Sequence, residues 1–146
     1  NTFNKNGASF EGFIGLFQLS YSYTPYVDLS VGYQRDGRDS GFSNFYTLDR
    51  VFMKGSLRLS NTWSVNTNLS YDIYDYDASN AVDNTERYDP VLRARLAVRV
   101  ELPSHFSLQL AYSLEANYSD YQLPINDPVD SAAYQRQLIS LALYFN

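Results

Sequence analysis

The stretch LRARLAVRVEL at residues 92–102 decides the fold, because every second residue in it is apolar. Leucine, alanine or valine occupies each even position, and arginine, alanine or glutamate occupies each odd position. Successive side chains of a β-strand point to opposite sides, so a period of two is that of a strand whose faces meet different surroundings. The stretch therefore predicts one long strand with an apolar face and a basic face.

Six further segments alternate with the same period and predict a fold built from strands alone. They cover residues 13–23, 27–34, about 46–60, 63–73, 106–118 and 134–146. All five prolines fall between the segments, where β structure tolerates them. We therefore predict an all-β, antiparallel up-and-down fold with about seven long strands.

Strand length and the rhythm of the connections favour a transmembrane β-barrel. Most segments are about twice the ~5–6 residues of a mean globular strand and reach the ~9–11 residues that a tilted membrane strand needs. Short turns near Pro25, at residues 61–62 and at residues 103–105 alternate with long polar connections. Outer-membrane barrels have this asymmetry, with short periplasmic turns and long outer loops.

Aromatic residues concentrate at both ends of the predicted strands, as expected for two membrane interfaces. Those near the short turns are Tyr21, Tyr23, Tyr26, Trp63, Phe106, Tyr144 and Phe145. Those near the long connections are Tyr33, Tyr46, Tyr71, Tyr74, Tyr76, Tyr118 and Tyr121. A soluble barrel or sandwich, in which the apolar faces form one core, is the alternative reading.

The parity of the strands gives an expectation about completeness. If the short turns are periplasmic and the long loops extracellular, the last strand descends to a periplasmic C-terminus and the first strand also descends. Bacterial single-chain barrels have an even number of strands. We therefore expect residues 1–146 to be one segment, the C-terminal part of a larger even-stranded barrel. Upstream strands or another chain would complete it in the outer-membrane bilayer.

Two short stretches resemble a known family. Residues 32–40, GYQRDGRDS, followed by Tyr46 and the sequence DRV at residues 49–51, are similar to the β-barrel porin 2 group of Gram-negative outer-membrane proteins. The ending LYFN at residues 143–146 resembles the terminal aromatic of such barrels, although the usual pattern ends on phenylalanine itself. The resemblance implies a bacterial outer-membrane barrel, often associated with exopolysaccharide systems, and brings no catalytic residues with it.

Composition excludes several classes of function. The net charge of −5 argues against a general nucleic-acid binder, which needs a basic surface. The chain has no cysteine and one histidine, His105, which falls in a predicted turn, and no GxSxG motif is present. We therefore expect no enzyme activity and no cofactor or metal site.

The connection at about residues 75–89 is acidic, and carboxylate oxygens suit Ca²⁺. Its spacing matches no EF-hand loop, so a solvated surface loop is the better interpretation. The acids counted around Arg87 are Asp72, Asp75, Asp77, Asp83, Glu86 and Asp89.

Basic residues collect on the polar faces of three predicted strands, and we call them the basic wall. They are Arg50, Lys54, Arg58, Arg93, Arg95, Arg99 and Arg136. Inward acids are fewer, namely Asp28, Asp72, Glu101 and Glu115. A basic lumen would favour anions, whereas arginines paired with acids or carbonyls would only brace the barrel.

The leading functional expectation is a pore or export channel for polar or anionic solutes, with exopolysaccharide among them. The alternative is a non-conducting structural barrel that anchors or scaffolds an envelope assembly. A soluble binding barrel is the third reading.

Overall fold

The computed structural model describes residues 13–39, 45–76, 87–103, 105–119 and 133–145. Seven strands form one antiparallel sheet in chain order, and these are β1 (Gly15–Thr24), β2 (Val27–Asp39), β3 (Phe45–Arg58), β4 (Trp63–Tyr76), β5 (Arg87–Leu102), β6 (Phe106–Asn117) and β7 (Tyr134–Phe145). This confirms the all-β, up-and-down prediction. The sheet is not closed, because the described parts of β1 and β7 pair with β2 and β6 and not with each other.

The register keeps the two faces of the sheet separate across its whole width. Leu110, for example, lies opposite Val98 on β5 and Leu141 on β7. A slip of one residue in any pairing would exchange the faces of a strand, and the pairings keep apolar rows together through the middle of the sheet. We call the two surfaces the apolar face and the polar face.

Burial of the two faces is the reverse of that in a soluble domain. On the polar face, Asp72 and Ala111 are buried. On the apolar face, Val51 is 60% exposed and Leu141 is 68% exposed. The described residues form a single sheet, so this difference indicates a sheet that curves toward its polar face, as a barrel wall curves toward its lumen.

The three short turns are local structures whose residues suit them. In the β3–β4 turn, the Ser60 hydroxyl oxygen accepts hydrogen bonds from the backbone N–H groups of Thr62 (3.1 Å) and Trp63 (3.0 Å). His105 in the β5–β6 turn has a φ of 66°, which L residues rarely adopt. The connections between β2 and β3, β4 and β5, and β6 and β7 fall largely outside the described residues.

Several strands extend further toward the long connections than the alternation predicted. β2 continues to Asp39, beyond the alternating segment predicted at residues 27–34, and the predicted loop at 75–89 is wrong at both ends. Tyr76 pairs with Arg87, and Tyr74 pairs with Asp89, so β4 and β5 continue into this segment. Asp72 and Asp89 are therefore buried strand residues rather than members of a solvated acidic loop.

The part of the chain that the structure describes holds no helix with the length and apolar character needed to span a membrane.

Candidate functional site

The polar face carries all seven members of the basic wall. Arg50 lies opposite Asp72, and Arg136 lies opposite Glu115, which places both on the same face as the remaining five. The bases fall into rows because the register aligns them across strands. Arg58 and Arg99 share a row nearest the short turns, where both lie opposite Ser64.

Two further rows lie nearer the long connections. Lys54 and Arg95 both face Asn68, and Arg93 and Arg136 both face Glu115. Since a strand rises ~3.3 Å per residue, the eight positions from Arg58 to Arg50 span ~26 Å along the strand. The positive charges are therefore distributed along the strand direction instead of forming one patch.

An ion-pair network joins the neighbouring strands at the level of Arg50. The Arg50 guanidinium donates to both carboxylate oxygens of Asp72, from Nε at 2.8 Å and from Nη2 at 2.6 Å. Asp72 is 0% exposed and also accepts from Arg93, whose Nε donates to Glu115 Oε2 at 2.7 Å. The Tyr134 hydroxyl donates to Glu115 Oε1 at 2.5 Å. This network therefore links β3, β4, β5, β6 and β7.

The other bases divide into one paired residue and four unpaired ones. Arg99 Nε lies 2.8 Å from Glu101 Oε1, although its N–H does not point at that oxygen as a hydrogen bond requires. Among the described residues, four side chains of the basic wall make no ion pair within 4 Å; they are Lys54, Arg58, Arg95 and Arg136. Arg50 and Arg93 thus have the geometry of braces, and these four do not.

A depression opens on the polar face between the braced and the unpaired arginines. Its volume is about 380 Å³. The charged residues that line it are Arg50, Arg93, Arg95, Arg136 and Glu115. The uncharged residues of its lining are Asn68, Ser70, Ala94, Ser113, Leu114 and Leu138. The arrangement can bind a solute that carries both an anionic group and hydroxyl groups.

Sequence reasoning missed the hydroxyl partners of the network and a second buried ion pair. Arg87 Nε donates to Asp89 Oδ2 at 2.8 Å, and the Ser119 hydroxyl donates to Asp89 Oδ1. The i, i+2 spacing of Arg87 and Asp89 was visible in the sequence. This spacing would have placed both side chains on one strand face if the predicted strand at residues 92–102 had begun at residue 87.

Neither His105 nor the predicted acidic segment at residues 75–89 lines the depression. His105 is exposed in a turn at the far end of β5, away from the depression. Within the described ranges, no group of three or more histidine, cysteine, aspartate or glutamate side chains is placed to hold a metal ion. Asp77, Asp83 and Glu86 of the predicted acidic loop lie outside those ranges.

Comparison of the chain with protein-family models, with curated proteins and with solved structures finds no match. The resemblance of residues 32–40 to an outer-membrane barrel group therefore stays a prediction, and the function proposed below depends on the geometry.

Proposed function

We propose that this chain is part of a bacterial outer-membrane β-barrel that forms a pore or export channel for polar and anionic solutes. The observation that carries the proposal is the reversed burial of the sheet. Large side chains such as Val51, Leu110 and Leu141 remain more than half exposed on one continuous face, while the polar face is curved and partly buried. An apolar exterior with a polar, charged interior is the pattern of a transmembrane barrel.

The two edges of the sheet support a larger assembly. The outer edges of β1 and β7 present backbone N–H and C=O groups that no strand among the described residues pairs. Each unsatisfied backbone group costs several kcal/mol in hydrocarbon, so an open sheet does not persist there. Further strands, from the same polypeptide or from another chain, would pair with both edges.

The solute class follows from the distribution of charge on the polar face. Four unpaired bases, Lys54, Arg58, Arg95 and Arg136, would lie along the lumen in succession, and a series of weak sites of one sign lets an ion enter and leave. Serine and asparagine residues between them offer hydrogen bonds to hydroxyl groups. Anionic exopolysaccharide combines both features, and the resemblance noted above points to the same class.

Orientation follows from the alternation of connections. The short turns β1–β2, β3–β4 and β5–β6 would lie in the periplasm, and the long connections would be extracellular. β7 would then descend toward a periplasmic C-terminal end.

A non-conducting structural barrel is the second candidate function. The network of Arg50, Asp72, Arg93, Glu115 and Tyr134 favours it, because these side chains tie five neighbouring strands together along the polar face and would brace a barrel wall. In that case the barrel would act as an anchor or scaffold in the envelope.

Conductance of the complete protein in planar bilayers separates the two candidates. We expect ion conductance with anion preference, measured as a reversal potential in a salt gradient. Replacing Arg95 and Arg99 with glutamate should shift the preference toward cations, whereas Arg35→Glu on the apolar side of the sheet should leave it unchanged. A folded protein without conductance would support the structural barrel. Conductance without a shift would mean that the basic wall does not line the path.

A further inference from the structure

The depression on the polar face has the size of a small-molecule site. Its volume of about 380 Å³ lies at the small end of the ~300–1,000 Å³ range of ligand pockets. Residues from β3, β4, β5, β6 and β7 line it. This volume suits one or two sugar rings and is too small for a folded partner.

The charges in and under the depression do not cancel. Arg50, Arg93, Arg95 and Arg136 line it, against Glu115 at its side and Asp72 beneath. Asp72 is bound by Arg50 and Arg93 and is fully buried, so a solute does not meet it. Two positive charges remain in excess, in a chain whose net charge is −5.

The two unpaired arginines that line the depression flank the same strand. Arg95 lies opposite Ser113 on one side of β6, and Arg136 lies opposite Glu115 on the other. Strands are ~4.8 Å apart, so the two backbone positions are separated by ~10 Å across the sheet. An arginine side chain is long enough for both residues to reach an anion held above Ser113. Their forked donors suit carboxylate and phosphate oxygens.

The remaining lining selects for more than charge. Asn68, Ser70 and Ser113 offer donors and acceptors that match sugar hydroxyls, and Leu138 offers an apolar surface for the C–H face of a ring. An inorganic anion would use the arginines and leave these groups in water.

We propose that the depression is a binding subsite for one unit of an anionic glycan, with its carboxylate or phosphate held between Arg95 and Arg136 and its hydroxyls bound by Asn68 and Ser113. Arg50 and Arg93 are positioning residues, because Asp72 and Glu115 hold them as a rigid floor. The subsite rests on the proposed function, and it names the solute class that the channel takes.

Equilibrium binding to the complete protein in detergent micelles tests the subsite without relying on conductance. The probes are trigalacturonate, the neutral trisaccharide maltotriose and inorganic phosphate, each titrated calorimetrically. We expect trigalacturonate to bind at least about tenfold more tightly than either of the others, since it alone engages both the arginines and the hydroxyl-binding groups.

Variants locate the binding. Arg95→Gln and Arg136→Gln should each weaken trigalacturonate binding about tenfold, because each removes a charge-assisted contact. The matched control is Arg35→Gln, which removes a base on the opposite face of the sheet and should leave the affinity unchanged. Equal affinities in all three variants would overturn the proposal, as would equal binding of maltotriose or phosphate.

The wild-type protein provides a measurement that needs no variant to fold. A tenfold rise in ionic strength should weaken trigalacturonate binding and leave any maltotriose binding unchanged, because salt screens partly exposed charges. Insensitivity to salt would overturn the subsite. A protein that conducts ions but does not bind trigalacturonate refutes the subsite alone, and one that binds without conducting refutes the pore alone.

Discussion

Leu110→Arg tests whether the apolar face meets lipid. Leu110 is 53% exposed and lies between Val98 and Leu141 in the middle of that face. In a membrane the substitution places a guanidinium in hydrocarbon, whereas on a water-exposed surface it would be almost neutral. The neighbouring residue, Gln109, points to the polar face and provides the matched control as Gln109→Arg.

The magnitude follows from the depth of the residue. Phe106 and Tyr118 lie on the same face as Leu110 and mark the two aromatic ends of this part of the sheet. At ~3.3 Å per residue and a tilt of ~40°, Leu110 is ~10 Å from the Phe106 level, near the middle of a ~25 Å apolar band. Arginine near the midplane costs ~2–4 kcal/mol. Gln109→Arg places a charge opposite Arg99 on a solvated face and should cost less than ~1 kcal/mol.

The assay is a urea titration of the complete protein refolded into lipid vesicles, with the folded fraction read from the gel mobility of unheated samples. We expect a clearly lower midpoint for Leu110→Arg and a midpoint close to wild type for Gln109→Arg. Equal losses at the two positions would refute the assignment of the apolar face to lipid. A lower midpoint for Gln109→Arg than for Leu110→Arg would mean that the polar face, and not the apolar face, meets lipid.

Three other substitutions test features of the sheet in the same titration. Gly32→Ala should destabilise by ~1–3 kcal/mol, because the added Cβ would clash with the Phe52 ring and would lie 2.7 Å from the backbone oxygen of Phe17. Gly55→Ala should be milder, because its Cβ would meet the Thr67 hydroxyl at 2.8 Å and the Leu29 side chain at 3.5 Å, and the reverse order would contradict this packing. Asp72→Asn should lower stability by ~1–3 kcal/mol, because it removes the carboxylate that pairs with the partly buried Arg50 and leaves Arg93 with Glu115 alone. Glu101→Gln at a more exposed pair should change stability by less than ~1 kcal/mol. His105→Val should cost ~1–2 kcal/mol at a φ of 66°, and His105→Gly should not destabilise; a tolerated valine would mean that the turn adopts another conformation.

The alternation of side chains was enough to predict the strands and their faces. The pattern at residues 92–102 is local, because the position of a residue along a strand determines the face to which its side chain points. The register in the structure aligns the apolar faces of neighbouring strands with one another. The membership of the basic wall followed in the same way. Assigning a base to the polar face required only its position within a strand.

Strand ends were harder to predict than strand centres. The segment 87–91 is polar and contains a proline, so its composition resembles a loop. It is a strand because it pairs with β4, and there Asp89 is buried against Ser119, a partner 30 residues further along the chain.

By itself, then, the sequence determined an all-β chain with one apolar face and one basic face, because alternation is a property of neighbouring residues. Only the tertiary structure decided which bases are neutralised. Asp72 lies 22 residues from Arg50 and 21 from Arg93, and the sheet register brings all three together while leaving Arg95 and Arg136 unpaired within the described residues. The depression also belongs to the tertiary structure. Its lining comes from five strands, and only the pairing of those strands in the sheet brings them together.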